Sequence, residues 1–350
     1  MKPAKIFSDH TVFAEGKPIR VFGEGDRPVA VSFLGSRAEA VPSEGKWQVE
    51  LPASPAGGPF TMEITDGEET VTLRDVYVGR VFYVMGQSNV EFRLSESNTP
   101  KSYYETDPLL CSFFVDRPWD PDDPFHSSDG WRTAKAEEVG NWSAIGYLTA
   151  RIVRRELGCA VGIVCCYKGA SVIESWLPRE KAERYRLPPE CLYEDHTLDI
   201  FANFNGDGEI YEKMLTKVTP FSPSALVWYQ GESDSTVEEV AVYGDGIRTF
   251  FDEFRRLVGD EDLPVAMVQI ADCDYRKEVL PDGWVAMQEK QREVAESDPR
   301  ITLVVSRDVC ESDNMHPATK TLLSERIARA LLKYKLGLLH LDAESSFFAP

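Results

Sequence analysis

The run Val81-Phe-Tyr-Val-Met-Gly-Gln-Ser-Asn-Val-Glu-Phe constrains this chain more than any other stretch. Its apolar, β-branched and aromatic residues read as a buried strand that stops at Gly86, with the polar triplet Gln87, Ser88 and Asn89 at the strand's carboxyl end. In a parallel α/β sheet those carboxyl ends form the crevice in which ligands bind, and a glycine permits the sharp turn that would present Ser88 there. Gly-x-Ser also ends many ordinary strands, so its meaning depends on what else the chain brings to the same edge.

From Lys5 to about Thr72, short apolar or alternating runs such as Ile19-Arg-Val-Phe, Val29-Ala-Val-Ser-Phe-Leu and Trp47-Gln-Val-Glu-Leu are separated by turn-forming segments such as Gly23-Glu-Gly-Asp and Pro55-Ala-Gly-Gly-Pro. This pattern predicts a small β-sandwich over residues 1–75, in which His10 is a structural or surface residue. After Asp75 the spacing changes to strand, connection, helix, strand, which predicts a second domain over 76–340, a linker of only a few residues and a short tail over 341–350. Residues 95–131, rich in proline and aspartate, read as a long irregular loop. Its aromatic residues Phe113, Phe114, Trp119 and Phe125, with His126, either line a sugar site or pack on one another.

Asn141 is the expected cap of a helix that Gly158 stops. The run from Ala160 to Tyr167 reads as a strand ending in Lys168-Gly-Ala-Ser, and Ala225 to Tyr229 as one ending in Gln230-Gly-Glu-Ser-Asp. Further helices are expected over 243–257, 285–294 and 319–336, and strands over 265–270 and 301–305. Strands alternating with helices imply βαβ units and a mostly parallel sheet.

Composition narrows the function. The chain has 350 residues and 43% hydrophobic content, enough for about two domains with substantial cores. Its 58 acidic against 38 basic residues give a formal charge of -20, which argues against nucleic acid and anionic membranes as partners. The N-terminus lacks an apolar signal-like segment, and nowhere do about 18 uncharged apolar residues run together. The seven cysteines are an odd number without metal-like spacing, and Cys165 and Cys166 sit inside an apolar run. These features point to reduced thiols and a cytoplasmic protein, and no ligand cluster for a metal or cofactor is visible. Oligomeric state is left open.

Polar residues converge on the strand ends: Ser88, Gly169 with Ser171, Gln230 to Ser233, and Asp313 with His316 in the last loop. Of five histidines, His316 is the best base for Ser88, because Asp313 three residues earlier can take the imidazole Nδ1 proton and steady the imidazolium. The same spacing also suits a helix cap beside a surface histidine. Oxyanion donors would be the backbone N–H groups of Ser88 and Gly169 and the side-chain amide of Gln230. Glu232 orients its neighbours or binds a sugar hydroxyl. Gln87 and Asn89 brace the turn and are candidate substrate contacts, with Trp119 a further candidate. Glu174 and Trp176 anchor the loop after Gly169.

The motifs Gly86-Gln-Ser-Asn, Gly169-Ala-Ser-Val-Ile-Glu-Ser-Trp, Trp228-Tyr-Gln-Gly-Glu-Ser-Asp and Asp313-Asn-Met-His-Pro together resemble the sialate O-acetylesterase family, a carbohydrate acetylesterase branch of the SGNH hydrolases. Ile6-Phe-Ser-Asp-His, Gly45-Lys-Trp-Gln-Val and Ala56-Gly-Gly-Pro-Phe extend the similarity to the N-terminal segment, so that it runs from about Lys5 to Tyr334. The resemblance implies a flavodoxin-like hydrolase domain behind a β-sandwich module. It also implies that Ser88 is the nucleophile, His316 the base, Asp313 its partner, and Gly169 and Gln230 the oxyanion donors beside the Ser88 amide. The implied activity is removal of acetyl groups from O-acetylated sugars, such as the 9-O-acetyl ester of sialic acid, without a cofactor. A carbohydrate-binding protein on a decayed hydrolase scaffold is the alternative. Val90, Phe92, Ala170 and Ser171 depart from the residues usual in the family, which leaves the sugar open.

Overall fold

The computed structural model describes residues 1–120, 130–193 and 198–336. Its N-terminal part is built from β1 (Lys2–Pro3), β2 (Val12–Ala14), β3 (Ile19–Glu24), β4 (Val29–Phe33), β5 (Ser36–Ala40), β6 (Lys46–Leu51), β7 (Gly57–Thr65) and the start of β8 (Thr70–Gly86). Strands β1, β3 and β6 form one antiparallel sheet, while β4, β5, β7 and β8 are joined in another. Alternation decides which faces meet: in β6, Trp47, Val49 and Leu51 are buried and Lys46, Gln48 and Glu50 exposed. With Val21, Val31, Met62 and Ile64 they fill a sandwich core.

Strand β8 is 17 residues long and serves two units. Its first part pairs with β7 and β2, and from Arg80 onward it pairs in parallel with β11 (Val161–Tyr167) and then β12 (Ala225–Tyr229). The boundary expected near residue 75 therefore lies inside one continuous strand, with no linker. Asp75, at φ 52°, is a kink within the strand and not its end.

The second unit is a sheet in the order β10 (Arg132–Ala134), β9 (Asp107–Phe114), β11, β8, β12, β13 (Val265–Val268), β14 (Ile301–Val304). All neighbours except the β10–β9 pair run parallel. With β9 and β10 set aside, the five parallel strands stand in the order 2-1-3-4-5, the doubly wound flavodoxin-like arrangement. Strand β9 lies inside the segment expected to be irregular. Pro108 sits at its start, where a missing donor is tolerated, and Phe113 and Phe114 are core residues there. Phe125 and His126 lie outside the described residues.

The principal helices are α1 (Ser88–Glu91), α2 (Ala144–Leu157), α3 (Val237–Val258), α4 (Pro281–Ser297) and α5 (Thr321–Leu336). The cap of α2 is Ser143, whose hydroxyl accepts the Gly146 N–H at 3.1 Å, and Asn141 ends the short 3-10 turn before it. Helix α3 begins well before Tyr243, because Thr236 and Glu239 form a reciprocal capping box. Among the described residues no helix is long and apolar enough to cross a membrane.

The two units share one core. Phe221 packs on Phe7, Phe13 and Trp131, and the Trp131 indole donates to the Ile6 carbonyl at 2.7 Å. Lys17 pairs with Asp260 at 2.6 Å, and Arg20 donates to the Val258 carbonyl at the end of α3, where a cation meets the negative end of the helix dipole.

Register positions the strand ends. Gly86 stands opposite Tyr167 of β11 on one side and Tyr229 of β12 on the other. Its φ is +136°, and a Cβ there would lie 2.0 Å from the Tyr229 carbonyl oxygen. Gly86→Ala is therefore expected to destabilise the protein by about 3 kcal/mol or more, combining backbone strain with overpacking. Gly16→Ala, at φ +73° with open space around it, is expected to cost only about 1 kcal/mol. Denaturant unfolding of the two variants measures the difference.

Candidate active site

Ser88 opens α1 one residue after the Gly86-Gln87 turn, at the switch point where β8 lies between β11 and β12. Gln87 fixes that turn from below. Its Oε1 accepts the N–H groups of Gly231 at 3.2 Å and Ser233 at 3.4 Å, and its Nε2 donates to Ser233 Oγ at 3.2 Å. The loops after β8 and β12 are thereby tied together through a buried side chain.

His316 reaches the same point from the loop between β14 and α5. Its Nε2 lies 2.7 Å from Ser88 Oγ, within hydrogen-bond distance. The Phe92 ring lies alongside the imidazole, with centroids 6.4 Å apart and planes 27° from parallel, and Lys320 Nζ sits 4.9 Å from the Phe92 centroid. Burial, and then the positive charge of Lys320, hold the His316 imidazole below its ordinary pKa, against a weaker opposite pull from Glu96 and Glu91. A neutral imidazole is the form able to accept the Ser88 proton.

Behind this pair lies a buried polar brace. Asn89 Nδ2 donates to Glu232 Oε1 at 2.7 Å and to the Met315 carbonyl at 3.0 Å, and Asn89 Oδ1 accepts from Lys320 Nζ at 2.7 Å. Asn89 follows the serine and Met315 precedes the histidine, so one side chain locks the nucleophile's helix to the base's loop. Burial pushes the Glu232 carboxyl up and the Lys320 ammonium down to about 8.

The other residues singled out from sequence fall into four groups. Gln87, Asn89 and Glu232, expected as substrate contacts, are buried with their side chains bonded internally, which puts them behind the site and not on its surface. Trp119 is half-buried against Phe204, next to Asp120, whose carboxylate binds Lys168 at 3.0 Å. Asp313 is exposed and makes no hydrogen bond to His316, while Asn314 Oδ1 accepts the His316 backbone N–H at 2.9 Å and shapes the turn. Trp176 is fully buried and donates to Ser171 Oγ at 3.1 Å, and the Glu174 carbonyl accepts the Gly208 N–H at 3.1 Å.

Two of the three expected oxyanion donors, the Gly169 amide and the Gln230 side chain, are engaged elsewhere. The Gly169 N–H donates to Glu91 Oε2 at 2.7 Å. Gln230 Nε2 donates to the Ser171 carbonyl at 3.0 Å and to the Asp234 carboxyl group, while Gln230 Oε1 is buried without a partner among the described residues. Glu91 in turn binds Arg117 at 2.6 Å, and Arg117 binds Asp120 at 3.2 Å. Sequence reasoning passed over Glu91, Arg117 and Lys320. The signal for Glu91 is its place three residues after Ser88, which puts it on the same helical face. Among the described residues no group of three His, Cys, Asp or Glu side chains is placed to hold a metal ion.

A flavodoxin-like sheet with a serine and a histidine in hydrogen-bond contact at its switch point defines the class as the SGNH hydrolase fold. The model of the family described as carbohydrate esterase, sialic acid-specific acetylesterase, matches residues 78–333, well over half the chain, and the chain belongs to that family. Among solved structures it is similar to a carbohydrate acetylesterase from Xanthomonas citri, with 26% identity and a TM-score of 0.81 over 96% of this chain and 75% of that one. It is more distantly similar to a protein from Arabidopsis thaliana, with 18% identity and a TM-score of 0.48 over 73% of this chain and 98% of that one. A family 2 carbohydrate esterase from Corynascus thermopiles gives 13% identity and a TM-score of 0.40 over 92% of each chain. No curated protein matches.

Replacing Lys320 by methionine keeps most of its apolar stem and removes the charge that lowers the His316 pKa. The His316 pKa is expected to rise in Lys320→Met. NMR titration of the imidazole checks this, and the acid limb of kcat/KM is expected to move to higher pH by the same amount.

Proposed function

We propose that the protein is a carbohydrate O-acetylesterase that works through an acetyl-enzyme on Ser88. The observation that carries this reading is the 2.7 Å approach of His316 Nε2 to Ser88 Oγ at the carboxyl edge of the sheet. Ser88 Oγ attacks the acetyl carbonyl as its proton passes to His316, and the collapsing intermediate expels the sugar oxygen, which takes that proton back. Water, deprotonated by the same histidine, then attacks the acetyl-enzyme and releases acetate. Asp313 enters as the histidine's partner through its place in the same loop. Asp313 is exposed and not bonded to His316, so its carboxylate must turn toward the ring to steady the imidazolium.

The crevice wall bears on the sugar. Arg117 and Lys168, the cations beside Gly169, are bonded to Glu91 and Asp120, so their charge is already offset. That favours neutral acetylated sugars over the carboxylate-bearing sialic acid ester for which the family is named. The half-buried Trp119 offers an apolar face to a sugar ring. A purely carbohydrate-binding role is the weaker reading, because binding alone has no need of a histidine on Ser88.

Ser88→Ala is expected to fold normally and to lose at least about 1000-fold of the hydrolysis of 4-nitrophenyl acetate. Undiminished turnover would sink the mechanism. Asp313→Asn is expected to lower kcat more than about tenfold, and a smaller loss removes Asp313 from the catalytic set. Acetate release from defined sugars is expected to be faster with acetylated neutral oligosaccharides than with 9-O-acetyl sialic acid.

A further inference from the structure

The loop after β11 carries a feature that neither the motif nor the family match assigns. Ala170 has φ +59°, a left-handed conformation that glycine adopts freely and alanine only at a cost. The peptide groups on either side of the Gly169–Ala170 peptide are pinned. Before it, the Gly169 N–H donates to Glu91 Oε2 at 2.7 Å, and Glu91 is held by Arg117, whose side chain is only 3% exposed. After it, the Ala170 carbonyl accepts from Asn205 Nδ2 at 2.8 Å, while Asn205 Oδ1 accepts the Val172 N–H at 3.2 Å.

Between those two anchors lies the Gly169–Ala170 peptide, whose N–H meets no acceptor among the described residues. It lies against the nucleophile: a Cβ on Gly169 would be 3.5 Å from Ser88 Cβ and 3.8 Å from Ser88 Cα. A left-handed residue turns successive amides toward one side of the chain, the geometry of an anion-binding nest. Strain at a non-glycine residue persists only where the surroundings hold it, and here two named side chains do so.

We propose that the Ala170 N–H, and not that of Gly169, is the donor from this loop to the oxyanion, with the Ser88 amide beside it. Glu91 and Asn205 are positioning residues that hold the peptide in place. This assignment rests on the reading of Ser88 as nucleophile. When Ser88 Oγ bonds to the acetyl carbon, the carbonyl π pair moves onto oxygen, the hydroxyl proton goes to His316, and the new negative charge is stabilised by the two amides. Arg117 offsets the Glu91 carboxylate, so a fixed charge close to the oxyanion does not oppose it.

Amide-to-ester replacement at single positions tests the assignment, since it removes one N–H and keeps the side chain. The ester at 170 (lactic acid for alanine) is expected to lower kcat about 100-fold with KM changed less than about twofold. The ester at 169 (glycolic acid for glycine) removes only the group bonded to Glu91 and is expected to cost less than about tenfold. Glu91→Ala is expected to lower kcat at unchanged KM, and Glu91→Gln, which retains an acceptor for the Gly169 N–H, to recover most of the loss. A larger loss for the ester at 169 than at 170, or equal losses, would overturn the assignment. An unchanged kcat in Glu91→Ala would overturn the positioning role. The Ser88→Ala control reports on the nucleophile separately, so either failure leaves that reading distinguishable.

Discussion

The close approach of Gly86 to the Tyr229 carbonyl is the constraint on which the site depends. Side-chain atoms at residue 86 would force β8 away from β12, because a Cβ would overlap the oxygen at 2.0 Å. With the strands in contact, Gly86, Tyr167 and Tyr229 stand in one row across the sheet. The residues that follow them, Gln87 and Ser88, Lys168 and Gly169, and Gln230, then leave the sheet side by side. Backbone bonds from Gln87 N–H to the Tyr229 carbonyl and from Lys168 N–H to the Gly86 carbonyl carry that row one residue beyond the ladder. Convergence of residues far apart in sequence is thus a consequence of sheet register and a missing side chain.

Register alone does not align a serine with a histidine, because His316 comes from a loop outside the sheet. The Asn89 brace supplies that alignment, and it is an expensive one. Lys320 and Glu232 are both buried, and among the described residues Glu232 Oε2 has no hydrogen-bond partner. Two desolvated charges bridged by one amide are weak contributors to stability, since desolvation largely offsets their attraction. What the arrangement supplies is placement: it fixes Met315 against the helix that carries Ser88, and its cation adds to the burial that lowers the His316 pKa. The cost is of the kind accepted where geometry matters more than stability.

The parts legible in the sequence were those written in local pattern. Strand β11 is an unbroken apolar run, the helix stop at Gly158 is a glycine after a basic turn, and the alternation of strand and helix gave the sheet class. Strand β9 escaped notice because Pro108 and its neighbouring prolines look like loop, although an edge-proximal strand tolerates proline at its start. The continuity of β8 through Asp75 was not legible, because a kink and a strand end look alike in one dimension. In the site, Ser88 and His316 were legible from type and context. The destinations of side-chain hydrogen bonds were not, because they depend on three-dimensional neighbours. Asn89 and Gln87 read as turn braces and candidate substrate contacts and prove buried, and the Gln230 amide faces Ser171 and Asp234.

The N-terminal strands belong to this same logic. Because β8 runs unbroken from the sandwich into the central sheet, its β2 and β7 pairings are extensions of the strand that carries Ser88. Docking elsewhere reinforces the connection, through Trp131 on Ile6, Lys17 on Asp260 and Arg20 on the end of α3. A module hung on a flexible linker could move relative to the crevice, whereas one that shares a strand and a core with it cannot without breaking β8. The sandwich therefore acts as a buttress for the central strand. Part of the rigidity needed to hold the Gly86 turn against Tyr229 is set by residues well outside the crevice.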